Sequence, residues 1–321
     1  MKRLIWALVA LASVLAIATA GAQEKKTRIS IGTGGTGGVY YPLGGGLAAI
    51  LTKYVPGLEA TAEVTAGSIA NLQLIGGGKS ELGFTMADSA WDAYNGFDKF
   101  SGRKVALRTL AVFYPNRMHV VTIEGTGINK FTDLKGHRIS TGAPASGTEI
   151  MSMRLLEAFG LDPNKDVTRE RLSVAESVNA VKDRKIDALF WVGGVPTPSI
   201  TDLAATPGIK IKLIDHGDGA ENMRKKYGPI YVKNRILANA YPGDDRDTTN
   251  VDVWNLLVVP ENADENLVYQ ITRTLFEKKE ELVKVHKDAA FLELANQTPS
   301  ASPLPYHPGA LKYFRERGLK M

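Results

Sequence analysis

Along this chain the apolar positions switch between a period near two and a period near 3.6, giving short strands each followed by a helix. Residues 29–32 read as a strand, a helix runs from Pro42, and a second strand covers 60–65. A helix then begins at Ser68, a third strand covers 82–85, and another helix begins at Asp88. The pattern restarts further on. Arg138-Ile139-Ser140-Thr141-Gly142 echoes Arg28-Ile29-Ser30-Ile31-Gly32, each ahead of a Gly/Ser/Thr loop and a helix. The helix and strand of 68–84, ending Glu81-Leu82-Gly83-Phe84, return in 177–190, ending Asp187-Ala188-Leu189-Phe190. One succession repeated in order predicts two similar α/β lobes with ligand-facing loops at the carboxyl ends of their strands.

The remaining segments set how the lobes connect. Residues 251–259 form a buried-strand pattern, and Leu267, Val268, Ile271, Leu275 and Phe276 mark one face of a long helix. A proline-rich tail, 297–308, leads to 311–317 and returns to the first lobe. Two crossovers are predicted, near 114–120 and within 235–252. The expected division is 23–118 with 240–321 as lobe I and 119–239 as lobe II, joined by a hinge as a clamshell.

The amino terminus reads as an export signal. Lys2 and Arg3 precede an apolar run from Leu4 to Ala18, and Ala18-Thr19-Ala20 or Ala20-Gly21-Ala22 supplies a small-residue cleavage site, with cleavage before Gln23 or, alternatively, Gly21, placing residues 1–22 as a signal peptide. No Cys follows the run, which excludes a lipid-anchored lipoprotein, and the absence of Cys throughout removes disulfides, thiolate metal sites and thiol nucleophiles. The formal charge of +5 falls to +3 once Lys2 and Arg3 leave, with no basic run, which argues against nucleic acid.

Candidate chemistry starts at the loop after the first strand, Gly32-Thr33-Gly34-Gly35-Thr36-Gly37-Gly38-Val39-Tyr40-Tyr41-Pro42. Glycines there can take φ > 0 and expose bare N–H groups, and Pro42 suits a first helical turn whose dipole favours an anion. A plain tight turn is one alternative. A dinucleotide fingerprint is another, since Gly32, Gly34 and Gly37 fit G-x-G-x-x-G. Against it, Val39-Tyr40-Tyr41 intervene before the helical proline, and neither Glu59 nor Glu63 clearly ends a strand.

Together with Ala66-Gly67-Ser68-Ile69-Ala70-Asn71-Leu72, Asp88, Asp133-Leu134-Lys135-Gly136 and Gly142-Ala143-Pro144-Ala145-Ser146-Gly147-Thr148, this loop carries a family resemblance. Gly193-Gly194-Val195-Pro196, Tyr241-Pro242-Gly243 and His307-Pro308-Gly309-Ala310 extend it over the mature chain. The chain resembles the TAXI-type extracytoplasmic solute-binding subunits of TRAP (tripartite ATP-independent periplasmic) transporters. That resemblance implies a type II periplasmic-binding-protein fold, a periplasmic location, and delivery of a small carboxylate to ion-coupled TRAP membrane subunits. The cargo it implies is a glutamate-like amino acid or a dicarboxylate.

Read residue by residue, the expected ligand contacts are Thr33, Gly38, Tyr40 and Tyr41 from the first loop, with the two tyrosines not told apart. Ser68 is placed to cap a helix and offer a hydroxyl, and Asn71 to share its face. Asp88 either caps its own helix or holds a ligand ammonium. Ser146, Gly147 and Thr148 open an equivalent helix in the second lobe, and Gly194, Val195 and Pro196 form a stiff loop or a mere strand exit. Arg117 is a hinge charge or a partner for a distal carboxylate; Trp91 and Tyr94 read as core.

Catalytic readings find little. The five histidines, at 119, 137, 216, 286 and 307, show no H-E-x-x-H or similar spacing, Ser146 lacks a G-x-S-x-G elbow, and no Walker lysine follows the glycine loop. The expected protein is therefore a monomeric binding subunit with no cofactor. Its rivals are an exported α/β enzyme acting on an acidic metabolite, and the binding subunit of an ATP-driven importer or sensor.

Overall fold

The computed structural model describes residues 26–299 and 301–321. The expected signal peptide, 1–22, lies outside them. Among the described residues no helix is long and apolar enough to cross a membrane.

The first half opens with β1 (Thr27–Gly32), α1 (Tyr40–Tyr54), β2 (Leu58–Glu63), α2 (Ser68–Gly76), β3 (Leu82–Met86) and α3 (Ala87–Asn95). A long strand, β4 (Leu107–Ile123), leads out of it. Then come β5 (Arg138–Ser140), α4 (Gly147–Ala158), β6 (Thr168–Glu170), α5 (Val174–Lys182) and β7 (Ala188–Gly193). The order of the first half is thus repeated. Beyond it lie α6 (Pro198–Ala204), β8 (Ile211–Leu213), α7 (Gly219–Tyr227), β9 (Val232–Ile236) and a second long strand, β10 (Thr248–Pro260). The chain closes with α8 (Glu265–Glu277), α9 (Lys279–Val283) and α10 (Pro308–Glu316).

Helix placement follows the apolar stripe. In α1, Leu43, Leu47, Ile50 and Leu51 fall at i, i+4, i+7 and i+8 and are all buried, so one face seals against the sheet. In α8, Val268, Ile271 and Leu275 do the same, and Asp264 caps the helix by accepting the Leu267 N–H at 2.7 Å. The first helix starts two residues before Pro42, which occupies its third position, where the missing N–H still costs nothing.

The strands form one sheet ordered β2-β1-β3-β10-β4-β7-β5-β6, with β8 beside β4 and β9 beside β10. Strands β2-β1-β3 run parallel, as do β6-β5-β7, and the antiparallel pair β10 and β4 lies between the two triads. β4 changes partner along its length: residues 107–117 pair with β10, and 117–122 pair with β7. The sequence pattern shows a crossover near 114–120 but not a continuous 17-residue strand. Pro115, Arg117 and His119 break the apolar run there, and the ladder with β10 carries register shifts on both sides of Leu256 and Leu257.

A buried ionic knot ties the two halves. Arg154 of α4 donates to Asp92 of α3 and, at 2.9 Å, to the Tyr231 hydroxyl, which donates to Asp88 at 2.9 Å. Arg154 also lies 3.8 Å from Asp88 and 3.3 Å from Asp98. Burial opposes the Arg154 charge, but Tyr231, Asp88 and Asp92 around it hold its pKa above the ordinary value. Burial pushes the Asp92 carboxyl up to about 6 even beside that guanidinium, and raises Asp88 as well.

Arg154→Ala should therefore cost ~3–5 kcal/mol at pH 7, the cost of stranding buried carboxylates. A carboxyl raised in the fold contributes stability that is present below its unfolded value and lost as pH rises through the folded one, here about 6. Urea unfolding of both proteins at pH 7 and pH 5 should show the gap between them narrowing at pH 5. A gap that stays constant or widens contradicts this account of the knot.

Candidate functional site

The parallel triads run in opposite senses along the central strands, so their carboxyl ends meet head to head. Met86, the last residue of β3, pairs with Asn255, beside residues 112–115 of β4, while Gly193, the last of β7, pairs with Arg117. At ~3.3 Å per residue the two ends stand roughly 10 Å apart along β4. A pocket of about 650 Å³, its open mouth included, fills the gap. Its wall takes loops from the ends of β1, β2 and β3 on one side and of β5, β6 and β7 on the other, with Tyr114 of β4 between them.

From the first loop, Gly38 and Tyr40 reach the wall. Tyr41 points away and is 37% exposed, which separates the two tyrosines. The Tyr40 ring stacks on Phe84 at 5.3 Å, and its hydroxyl donates to Asn255 and accepts from Asn116 at 3.3 Å. Burial carries its pKa upward, so it stays a neutral donor. Thr33 stands behind the wall, its N–H and hydroxyl both given to the Glu63 carbonyl at 3.1 and 2.6 Å. Glu63 does end β2, contrary to the sequence reading, and its exposed side chain is not part of the wall.

The glycines of this loop are there for a reason other than φ. None of Gly32, Gly34, Gly35, Gly37 or Gly38 has positive φ. Gly37 and Gly38 instead leave room for the opposite half: a Cβ on Gly37 would collide with Ser199 Oγ, and one on Gly38 would sit 2.8 Å from the Trp191 ring. The Ser199 N–H donates to the Gly37 carbonyl at 3.2 Å, so backbone meets backbone across the cleft.

Ser68 lines the pocket as the first residue of α2 rather than its cap, which is Gly67 at φ +113°. Its Oγ accepts the Met86 N–H at 3.1 Å. Asn71 is absent from the wall because its side chain is spent on the scaffold. The amide donates to the carbonyls of Thr33 and Phe84 at 2.7 and 2.8 Å and its oxygen accepts from Thr65, tying the ends of β1, β2 and β3 together. Asp88 is likewise not in the wall and does not cap α3, whose N-cap is Met86; it is fully buried in the Arg154 knot and accepts the Ser89 N–H at 2.7 Å.

In the second half, Ser146, Gly147 and Thr148 all line the pocket. Ser146 caps α4, accepting the Glu149 N–H at 3.1 Å, and Thr148 Oγ1 accepts the Val192 N–H at 3.3 Å. The left-handed positions are Gly142 at φ +96° and Ala145 at φ +61°, not Gly147. Gly147 is glycine for space, since its Cβ would lie 2.5 Å from Met86 Sδ and 2.7 Å from Ser68 Oγ of the other half. The starts of α2 and α4 face each other, and the Ala70 N–H donates to the Ala145 carbonyl at 3.1 Å between them.

Gly194, Val195 and Pro196 fall outside the wall, one step past it. Asp288 accepts the Val195 N–H at 2.8 Å, and His286 donates from Nε2 to the Pro196 carbonyl at 2.9 Å, so this loop is bolted to the carboxyl-terminal segment. Arg117 pairs with the same Asp288 at 3.3 Å and is largely buried, neither a solvated charge nor part of the wall. What β7 contributes is Trp191, Val192 and Gly193. Trp191 was legible only as a strand residue, and Trp91, read as core, is half-buried outside the pocket. Met86, Tyr114, Ser173 and Val174 also line the pocket without a sequence signal beyond lying at the ends or flanks of predicted elements.

Trp191 is oriented by a relay. Its Nε1 donates to Thr197 Oγ1 at 2.8 Å, and that hydroxyl donates to the Gly194 carbonyl at 2.7 Å. The Thr197 N–H donates to the Tyr241 hydroxyl at 3.0 Å, which lies 2.7 Å from His119 Nε2; His119 Nδ1 lies 2.9 Å from the Arg117 carbonyl. Burial pushes His119 down to about 3, so the ring is neutral, with the proton on Nδ1 and Nε2 accepting. Among the described residues no cluster of His, Asp or Glu could hold a metal ion.

Thr197→Val should leave the indole N–H unpaired, lowering stability by ~1–3 kcal/mol and shifting tryptophan emission. The emission change should vanish in a Trp191→Phe background. Identical spectra with and without the threonine contradict the relay.

A protein from Bordetella bronchiseptica RB50 is 20% identical with TM-score 0.51, covering 91% of this chain and 89% of that one. An ancestral arginine-binding protein bound to arginine is 13% identical with TM-score 0.51, covering 82% and 98%. A Listeria monocytogenes protein assigned to an L-cystine ABC transporter is 16% identical with TM-score 0.50, covering 81% and 94%. The fold is the two-lobed α/β clamshell of periplasmic solute-binding proteins. Residues 31–318 match the model of the NMT1-like family, and the chain belongs to that family.

Proposed function

We propose that this protein is a periplasmic solute-binding subunit that captures a small carboxylate between its two lobes and hands it to a membrane permease. The observation that carries this reading is the convergence of six parallel-strand ends, three from each half, on one pocket flanked by two facing helix N-termini. Backbone N–H groups and dipoles at such termini favour an oxyanion. The wall contains no His, Asp, Glu, Lys or Arg, so no general acid or base stands ready for chemistry, which favours a binder over the exported-enzyme rival.

In this reading the lobes are 23–118 with 240–321, and 119–239, and the hinge is the stretch of β4 around Arg117 with the adjoining part of β10. The sequence resemblance to TAXI-type subunits favours an ion-coupled TRAP permease as partner. The competing partner is an ATP-driven importer, the kind of system to which the Listeria protein is assigned. The export signal in residues 1–22 agrees with an extracytoplasmic site of action.

Native mass spectrometry of the mature protein, purified without refolding, should show a bound small acid that leaves chemically unchanged on denaturation. Gly147→Val, whose side chain would wedge between Met86 and Ser68, should abolish that adduct while its circular dichroism spectrum remains that of the folded protein. A variant that folds and still carries the compound contradicts the site. Uptake that collapses with the ion gradient and survives vanadate supports the TRAP partner; the reverse favours the ATP-driven one.

A further inference from the structure

Taking the pocket to be a carboxylate site, as above, we propose that its cargo is a singly charged carboxylate on an apolar, flat body, and that the site discriminates against dicarboxylates and α-amino acids. Not one wall residue has a charged side chain. Of the acidic and basic groups flanking the wall in sequence, Asp88 is committed to Arg154 and Tyr231, Arg117 to Asp288, Glu149 to Arg171 with Nε–Oε1 at 2.5 Å and Glu176 to the Ser173 N–H, while Glu63 is exposed and outside the wall. A second carboxylate would enter without a cation and a ligand ammonium without an anion, and an unpaired buried charge is strongly disfavoured.

The polar groups in the wall point the same way. Thr148 Oγ1 and Ser173 Oγ each accept a backbone N–H, from Val192 and Glu176, leaving their hydroxyl hydrogens to donate, while the Ser68 hydroxyl, which accepts the Met86 N–H, lies beside the Tyr40 hydroxyl. Ser146 already donates to the Ala143 carbonyl at 2.7 Å and Thr65 to Asn71 at 2.7 Å. Donors and two helix N-termini suit one anionic head; an ammonium wants acceptors.

The rest of the wall is apolar and planar. Tyr40, backed by Phe84, Trp191, whose ring edge lies against Gly38, and Met86, Val174 and Val192 surround the space the body would fill. Tyr114 is fully buried in the same wall, and the Asn255 amide lies beside its hydroxyl. That hydroxyl can meet one neutral polar atom of the cargo, not a second charge.

Isothermal calorimetry on the mature protein, dialysed free of endogenous compound, tests this with matched probes. 3-Phenylpropionate and phenylalanine differ by one ammonium; 5-methylhexanoate and glutarate differ by a second carboxylate in place of an isopropyl end; glutamate carries both changes. The expected result is that 3-phenylpropionate or 5-methylhexanoate binds at least tenfold more tightly than phenylalanine, glutarate and glutamate. Glutamate, glutarate or phenylalanine binding as tightly as the monocarboxylates overturns the inference and leaves the carboxylate site standing. No binding by any of the five at millimolar concentration overturns both.

Discussion

Everything at the site depends on the antiparallel pairing of β4 with β10. Because these two strands carry one parallel triad on each flank, and because β4 pairs antiparallel with β7 while β10 pairs antiparallel with β3, the triads must run in opposite senses. Their carboxyl ends then meet over a few residues of β4, and every loop that follows such an end is delivered to one place. The pocket follows from strand direction, and the side chains only tune it.

What keeps the halves together is a set of close approaches that only glycine permits and a set of buried polar links. Gly37, Gly38 and Gly147 each bring backbone against a side chain of the other half, and the Ala70–Ala145 and Ser199–Gly37 hydrogen bonds are made in that contact. The Arg154 knot spans the same divide. Burying such ions is costly, and a packed apolar replacement is often at least as stable, so a buried ionic knot adds little to stability on its own. Its value lies in geometry: Asp92 and Tyr231 accept from Arg154, with Asp88 3.8 Å away, only when α3 and α4 are in register, so the knot fixes how these helices meet.

The architecture was legible in the sequence because local pattern and topology agree. The echo of 28–32 in 138–142, and of 68–84 in 177–190, corresponds to two triads of the same order. The continuous length of β4 was hidden because Pro115, Arg117 and His119 break the apolar run that marks a strand. At the site, glycine loops and helix starts were readable, so Gly38, Tyr40, Ser68, Ser146, Gly147 and Thr148 fall on the wall. Asn71, Asp88 and Thr33 look alike in sequence but are consumed by buried partners, which only the fold reveals. Trp191 and Tyr114 carried no signal, since an aromatic on a strand reads as core until the direction of its neighbours is known.

The central claim is that cargo is captured between two lobes and draws them together. The chain has no cysteine, so Ala49→Cys on α1 and Asn179→Cys on α5, both exposed, would be its only thiols. Spin labels at this pair allow the distance across the cleft to be measured by double electron–electron resonance, without cargo and with the tightest-binding carboxylate. The account predicts a longer, broader distribution in the empty protein that shortens and narrows on saturation. One unchanged distribution in both conditions would contradict it.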